Sequence, residues 1–341
     1  MSVTASPHRA DRNPRLWLLS IALLAVAATY WAVVGPQLVR QLWEWPTVHR
    51  DRDFPSYYLS AHRLLHGQDF YSGLRDDARS LGIADYFVDA AVSPPTFQVA
   101  TAWLPLLPYP AAWAIWQLLS LAALGFALVL AVQELRLPLS IPGWMILSCL
   151  VLLFPPLAFH LLYAHTELFL LLMLVGSWRA LHQGKEALGG ALLGFAAALR
   201  LYPAFLLLYL IQRRKWKALL VALGSGLGLG LLAAMVAGPS SYAGYLRALR
   251  QVVPTLYSRY GNLSVWGSMF KIAAIWPPLG ARPWLRDTVA VFLSLAVAGL
   301  TVWLARKRDG SLPEGDRAFG LYLVAALLLS PLSWIYNQVL L

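Results

Sequence analysis

Asp53 is the residue of this sequence with the clearest potential for chemistry. It precedes a segment with five residues on one helical face: Tyr57, Tyr58, Ala61, Leu64 and Leu65. Gly67 is a natural stop for that helix, which we expect to lie in the membrane interface. An ionised carboxylate there can act as a general base if it reaches a hydroxyl proton. The position also favours a helix N-cap, with Pro55 in the first turn, and the two roles are compatible.

Further polar residues interrupt apolar runs and are candidates to bind a donor or an acceptor. Arg200 lies at a predicted helix break, and His165 and Glu167 form a polar pair at the end of an apolar helix. Tyr336 and Asn337 can donate hydrogen bonds to a sugar or a phosphate. Each has a plainer alternative: a snorkelling arginine, polarity at the membrane interface, or a contact between helices.

The elements that hold these residues are membrane helices. The chain has 341 residues, of which 59% are apolar and 13% are charged, with a mean hydropathy of +0.60. This composition excludes a disordered chain and argues against a soluble enzyme. Apolar runs of spanning length recur from Leu16–Val34 onward, and the first is too long for a signal peptide. We predict an all-α polytopic membrane protein, one transmembrane domain over residues 1–341 with about 9–11 membrane segments.

Two long polar segments interrupt the apolar runs, at residues 40–91 and 239–286. We treat the proline-rich stretch 92–107 as re-entrant, because the basic clusters at 213–217 and 306–308 then face the cytoplasm. Both polar segments and the candidate residues then share the outer side, where broken helices line a cavity. The chain stops within an apolar run, which suggests a sequence cut short.

The net charge, the cysteine count and the motif content of the sequence exclude several classes of function. The net charge of +11 fits Lys and Arg beside anionic lipid, and no long basic stretch points to nucleic acid. A single cysteine, Cys149, excludes a disulfide framework and a cysteine-based metal site. No phosphate-binding loop, dinucleotide fingerprint or zinc motif occurs. Alternating glycines from Gly224 to Gly230 indicate close helix packing instead.

Five segments in this order resemble glycosyltransferase family 87: 53–71, 92–106, 196–216, 262–264 and 329–334. They contain Asp-Phe-x-x-Tyr-Tyr, Ser-Pro-Pro, Arg-x-x-Pro, Asn-x-Ser and Ser-Pro-x-Ser-Trp. Enzymes of this family have the GT-C fold, a helical bundle with short interfacial helices in a long first outer loop. They take sugars from polyprenyl phosphates.

The resemblance implies that Asp53, rather than its neighbour Asp51, is the catalytic base of an inverting transfer. It adds Tyr58 and Asn262 to the binding candidates. The expected donor is a polyprenyl-phosphate sugar, with mannose or another hexose or pentose. The expected acceptor is a glycolipid or envelope glycan at the outer face of the inner membrane. Neither a metal nor another cofactor is expected, since a polyprenyl phosphate is already a good leaving group.

This sequence departs from the family pattern at three points. Tyr336 and Asn337 stand where one or two histidines are usual, Ala164-His165 replaces Gly-Gln, and Arg200 replaces a lysine. A transporter or flippase of a lipid-linked or small solute is the alternative function, and a scaffold without activity is a third. A transporter more often shows internal repeats and ionisable residues at mid-membrane, which this sequence lacks.

Overall fold

A computed structural model describes residues 14–43, 53–83, 91–306 and 314–341. Its first half contains α1 Pro14–Trp43, α2 Phe54–Leu65, α3 Leu74–Ser80, α4 Pro95–Ala100, α5 Tyr109–Glu134, α6 Ile141–Leu152, α7 Pro155–Tyr163 and α8 Glu167–His182. Its second half contains α9 Glu186–Leu199, α10 Leu207–Gln212, α11 Trp216–Ala237, α12 Ser240–Leu256, α13 Val265–Ile275, α14 Pro277–Gly280, α15 Pro283–Arg306 and α16 Glu314–Leu329. Short 3-10 helices occupy Leu104–Leu106, Tyr202–Leu206 and Ile335–Leu340.

The described part of the chain confirms an all-α polytopic membrane protein. Four of its helices, α1, α5, α11 and α15, are long and apolar enough to cross a membrane. The pair α6 and α7 passes the same test together but is bent by 60° at the break between them. No β-strand occurs in these ranges, which hold one isolated bridge between Asn262 and Trp334. The count of about 9–11 segments, which includes shorter apolar helices, stays a prediction.

The structure confirms one predicted helix break and adds another. Between the apolar runs 141–158 and 161–181 the sequence predicts a turn near residues 159–166. The chain breaks at residues 153–154, which was not predicted, and again at residues 164–166, which confirms the turn. The first break precedes Pro155 and Pro156, whose rings and missing N–H groups prevent α6 from continuing. The second break produces a tight turn between α7 and α8, which becomes part of the candidate site.

The first polar segment packs onto the bundle. In α2, all eight residues from Phe54 to Ala61 are buried, so the first two thirds of this 12-residue helix are enclosed on every side. The prediction of a single buried face is therefore wrong for this part of α2, and its location in the membrane interface stays a prediction. Its aromatic side chains join a core with Tyr109 and Trp116 of α5. Asp51, the competing acid, lies outside the described residues.

Glycines permit the closest helix contact, between α9 and α11. A Cβ at Gly190 would lie 2.2 Å from the Ala218 carbonyl oxygen, and one at Gly194 would lie 2.3 Å from that of Ala222. Only glycine fits such backbone approaches. Of the alternating glycines of α11, Gly226 faces this contact, since a Cβ there would lie 3.5 Å from the Gly194 carbonyl oxygen, whereas Gly224 and Gly228 have open space beside them. The sequence thus predicted close helix packing correctly, but the tightest contacts are made by glycines of α9.

Candidate active site

Four segments of the chain, each at the start or the end of a helix, meet at one end of the bundle. They are the start of α2, the α7–α8 turn, the end of α9 at Arg200 and the corner that follows α16. Together they line a cavity of about 760 Å³. Polar residues from all four segments contribute to its wall: Asp53, His165, Glu167, Arg200, Tyr336 and Asn337. Six of the eight sequence-predicted site residues thus come together here.

Asp53 begins α2 without using its carboxylate as a cap. Its backbone carbonyl accepts hydrogen bonds from Ser56 and Tyr57, whereas its side chain makes no capping bond. One carboxylate oxygen, Oδ2, lies 2.8 Å from His165 Nε2 and accepts a 3.3 Å hydrogen bond from the Tyr336 hydroxyl. The side chain remains 36% exposed at the cavity wall. Asp53 therefore occupies the predicted N-cap position, with Pro55 in the first turn, but makes no side-chain capping bond, and its carboxylate is available for chemistry.

His165 and Glu167 bond to each other in the α7–α8 turn. His165 Nδ1 contacts Glu167 Oε2, and the Thr166 backbone N–H donates to the same oxygen at 3.1 Å. Both side chains are almost fully buried. Burial disfavours the charged imidazole, but the Glu167 and Asp53 carboxylates outweigh it and raise the pKa of His165. The ring therefore loses its proton only at a higher pH than an ordinary histidine.

The α7–α8 turn has the backbone geometry that holds this pair in place. Ala164 has a φ of 51°, in the left-handed region where glycine is favoured, which accounts for the glycine usual at this position in the family it resembles. The Trp116 indole of α5 donates to the backbone carbonyls of Ala164 and His165 at 3.0 and 3.2 Å. A transmembrane helix thus fixes the turn that carries His165.

Arg200 does not snorkel to the membrane surface. Its Nε donates to the Thr166 hydroxyl at 3.1 Å, and its Nη2 donates to the Tyr57 hydroxyl at 2.9 Å. The guanidinium also lies over the Phe97 ring, 5.5 Å from its centroid. These contacts fix a cation in the cavity wall, and a guanidinium has five N–H donors, more than these two bonds use.

The corner after α16 brings Tyr336 and Asn337 to the site. The Tyr336 ring lies 3.9 Å from the His165 ring, centroid to centroid, and Asn337 Nδ2 donates to Glu167 Oε1 at 2.7 Å. The backbone N–H of Trp334 donates to Asn337 Oδ1 at 2.6 Å. From the sequence, a contact between helices was the alternative role of Tyr336 and Asn337. That alternative is correct in part, because both residues contact the His165–Glu167 pair.

Two predicted binding residues lie elsewhere. The Tyr58 hydroxyl donates to the Leu107 carbonyl at 3.0 Å, inside the core beneath the first polar segment. Asn262 is fully buried, donates to the Pro331 carbonyl at 3.0 Å and accepts from the Ser264 N–H. It therefore fastens the second polar segment to the corner after α16. Neither residue lines the cavity, so both assignments are corrected to structural roles.

Sequence reasoning missed three residues of the site. Tyr57 and Thr166 hold Arg200, and Tyr202 lines the cavity beside it. Tyr57 is the first residue of the Tyr-Tyr pair, of which only the second, Tyr58, was a predicted binding residue. The two side chains are one helical position apart, and the Tyr57 hydroxyl contacts Arg200 whereas the Tyr58 hydroxyl contacts Leu107. For Thr166, the one feature of the sequence that could have predicted its contact with Arg200 is its position between His165 and Glu167.

Apolar side chains form the remainder of the cavity wall. Many come from α12, an amphipathic helix of the second polar segment, and from the end of α16: Leu249, Val252, Val253, Leu256, Ala326 and Leu329. Arg259 and Tyr260, which follow α12, also line the cavity. The cavity wall therefore combines a polar, charged part with an apolar part.

The side chains of Asp53, His165 and Glu167 form a chain of contacts and do not converge on one point. His165 stands between Asp53 and Glu167, and each carboxylate bonds to a different ring nitrogen. Among the residues that the structure describes, no group of three or more His, Cys, Asp or Glu side chains has a metal-binding arrangement. The wall presents a carboxylate at Asp53 and a guanidinium at Arg200, groups that are able to accept a proton and to bind an anion, respectively.

Comparison with known proteins identifies the chain's relatives at the level of the family. The family model for glycosyltransferase family 87 matches residues 92–331. No protein of curated function and no solved structure matches the chain. The matched region contains His165, Glu167 and Arg200 but begins after Asp53, whose place in the site therefore rests on geometry. With most of its length matched, this multi-pass membrane protein belongs to glycosyltransferase family 87.

Proposed function

We propose that this protein transfers a sugar from a polyprenyl-phosphate donor to a lipid or envelope-glycan acceptor, with Asp53 as the general base. The observation that carries the proposal is the position of Asp53, a partly exposed carboxylate in the wall of a cavity that is polar on one side and apolar on the other. Family membership favours a transferase over a transporter or an inactive scaffold.

The reaction needs one proton acceptor and one stabilised leaving group. The acceptor hydroxyl attacks the anomeric carbon, and its proton passes to the Asp53 carboxylate. The new C–O bond forms as the bond from the anomeric carbon to the phosphate oxygen breaks, and the electron pair leaves with the phosphate. Attack from the face opposite the leaving group inverts the anomeric configuration. The two partners must therefore bind on opposite sides of the sugar.

Arg200 is the residue best suited to hold the donor phosphate. Its guanidinium lines the cavity and is fixed by Thr166 and Tyr57, so little conformational freedom is lost when an anion binds. The apolar wall from α12 and α16 then accommodates the polyprenyl chain. Mannose is the first sugar to test, by analogy with the family, and other hexoses or pentoses fit the same chemistry.

The distribution of charge supports a site on the outer face of the inner membrane. Helix α8 begins at the site with Glu167 and ends at His182, and its 16 residues separate the two ends by about 24 Å. At the far end, Lys215 Nζ donates to the Leu181 carbonyl, next to the basic loop that follows α10. Basic loops stay in the cytoplasm, so the opposite end of α8 faces outward.

The test is transfer from a radiolabelled polyprenyl-phosphate mannose to membrane glycolipids by the purified full-length protein. We expect Asp53→Asn to lower the turnover by about 10²–10⁴-fold, because the amide cannot accept the proton. Donor binding should persist, because Arg200 is untouched. Asp76→Asn is the matched control, since its carboxylate lies in the same polar segment but is 83% exposed.

Full transfer by the Asp53→Asn variant would overturn the role of Asp53. Mass spectrometry of envelope glycolipids from cells with and without the gene would identify the acceptor and the sugar together. If no glycolipid or glycan changes its mass, the proposal of a polyprenyl-phosphate-dependent transferase loses its support.

A further inference from the structure

The hydrogen bonds of His165 fix its protonation state. Its Nε2 lies 2.8 Å from Asp53 Oδ2, and its Nδ1 contacts Glu167 Oε2. An ionised carboxylate can only accept hydrogen bonds, whereas a neutral imidazole has one donor and one acceptor nitrogen. Two carboxylate partners are satisfied together only when both ring nitrogens carry hydrogen. The geometry therefore requires an imidazolium between two carboxylates.

Glu167 is fully committed to protein groups. Its Oε2 accepts from His165 and the Thr166 N–H, and its Oε1 accepts from Asn337. The side chain is only 1% exposed. Its position in the first turn of α8 adds favourable interaction with the helix dipole, which supports an ionised carboxylate. Glu167 can therefore hold His165 but has no free oxygen for a substrate.

Asp53 differs, because its bonds are on one oxygen only. His165 and Tyr336 both contact Oδ2. No hydrogen bond is found to Oδ1 within the described ranges, and the carboxylate lies at the cavity wall. His165 thus fixes the oxygen that faces the protein and leaves the other oxygen for an acceptor hydroxyl.

We propose that His165 is a positioning residue, an imidazolium that orients Asp53 and balances its charge, and that Glu167 keeps the imidazolium in place. The proposal rests on the proposed role of Asp53 as base. The acceptor proton passes to Asp53 Oδ1, and His165 keeps both of its own protons throughout. This role replaces the expectation that His165 and Glu167 bind the donor or acceptor themselves.

The surroundings of His165 agree with a charged ring. Three neutral groups face it besides the two carboxylates: the Tyr336 ring, tilted by 34° at 3.9 Å, the Tyr57 ring at 6.4 Å and the His160 ring at 6.4 Å. Arg200 adds a second cation, which is joined to the turn through Thr166. With an imidazolium, two anions balance two cations, which a poorly hydrated site requires.

The first experiment reads the charge without relying on activity. We would record ¹⁵N spectra of the full-length protein labelled at its seven histidines, in lipid nanodiscs at pH 7.5. The His165 signals are those missing from His165→Gln. Both ring nitrogens should show the protonated signature, and the ring should become neutral in Glu167→Gln. A neutral His165 ring in the unmodified protein would overturn the proposal.

The second experiment is a double-mutant cycle on sugar transfer from polyprenyl-phosphate mannose. His165→Gln keeps a neutral donor and introduces the residue usual in the family, so it should fold. Because the carboxylate loses its orientation, kcat should fall by about 10²-fold while KM for the donor stays unchanged, and the same change should have no further effect in Asp53→Asn. An equal loss in the presence and absence of the Asp53 carboxylate would mean a purely structural role and overturn the proposal.

The two proposals can fail separately. If Asp53→Asn retains transfer while the spectra show an imidazolium, the proposed function fails and the charge assignment stands. If Asp53→Asn abolishes transfer while His165 is neutral, the proposed function stands and the positioning role fails. His160→Gln serves as a control, because this buried histidine is near the site but contacts neither carboxylate in the described structure.

Discussion

The two ends of α8 carry the same three residue types in different surroundings. At the cavity end, Glu167 and His165 contact each other, and Arg200 lies nearby through Thr166. At the far end, Glu134 of α5 meets Arg179 at 3.6 Å and His182 at 3.4 Å. Each set contains one glutamate, one histidine and one arginine.

The two sets differ in burial and in what they face. The far set has side chains that are 15–27% exposed, and Gln133 and Gln183 complete its hydrogen bonds. The cavity set has His165 and Glu167 at 5% and 1% exposure and faces an open hollow. Residue type alone therefore does not mark the site, whereas buried charge beside a cavity does.

The largest expected difference between the ends concerns arginine. Arg200→Gln should lower kcat/KM for polyprenyl-phosphate mannose by about 10²–10³-fold, since it removes a fixed cation that stabilises the leaving phosphate. Arg179→Gln should leave kcat/KM unchanged, because its contacts join α8 to α5 far from the cavity. Equal losses in the two variants would remove the functional distinction between the ends.

A smaller difference is expected for stability. Glu167→Ala should cost about 3–5 kcal/mol of unfolding free energy, because it removes one of the two carboxylates that hold the buried His165 charge and leaves His165 Nδ1 and the Asn337 amide without their buried acceptor. Glu134→Ala should cost about 1 kcal/mol, since water and headgroups replace its contacts. Thermal unfolding in one detergent compares the two variants. A greater loss for Glu134→Ala would show that the far end is the more tightly coupled set.

The smallest expected difference concerns the hydrogen bonds that support each end. Trp116→Phe keeps an aromatic side chain but removes the donor to the Ala164 and His165 carbonyls together with part of the buried indole, so unfolding free energy should fall by about 1–2 kcal/mol. Transfer should also fall, because the turn that carries His165 loses its support. Gln183→Ala should reduce stability less and leave the transfer rate unchanged. An unaltered rate in Trp116→Phe would mean that packing alone positions the turn.

Much of this site could be predicted from the sequence, because polar residues stand out in an apolar chain. Asp53, His165, Glu167, Arg200, Tyr336 and Asn337 were all conspicuous as polar interruptions near helix breaks. Tyr58 and Asn262 were wrong for one reason: a motif indicates that a residue matters but not whether it serves the site or the scaffold. Tyr57 was missed because one position along a buried helix turns a side chain by about 100°.

The sequence by itself determined the class of protein, since hydropathy and helix-breaking prolines act over local stretches of chain. It also predicts, from the placement of Lys and Arg in the loops, that the site lies on the outer side, and this stays a prediction. Only the tertiary structure decided that His165 bridges Asp53 and Glu167, because those partners come from separate helices. Hydrogen bonds between distant segments depend on how helices pack, and no local pattern of residues encodes that packing.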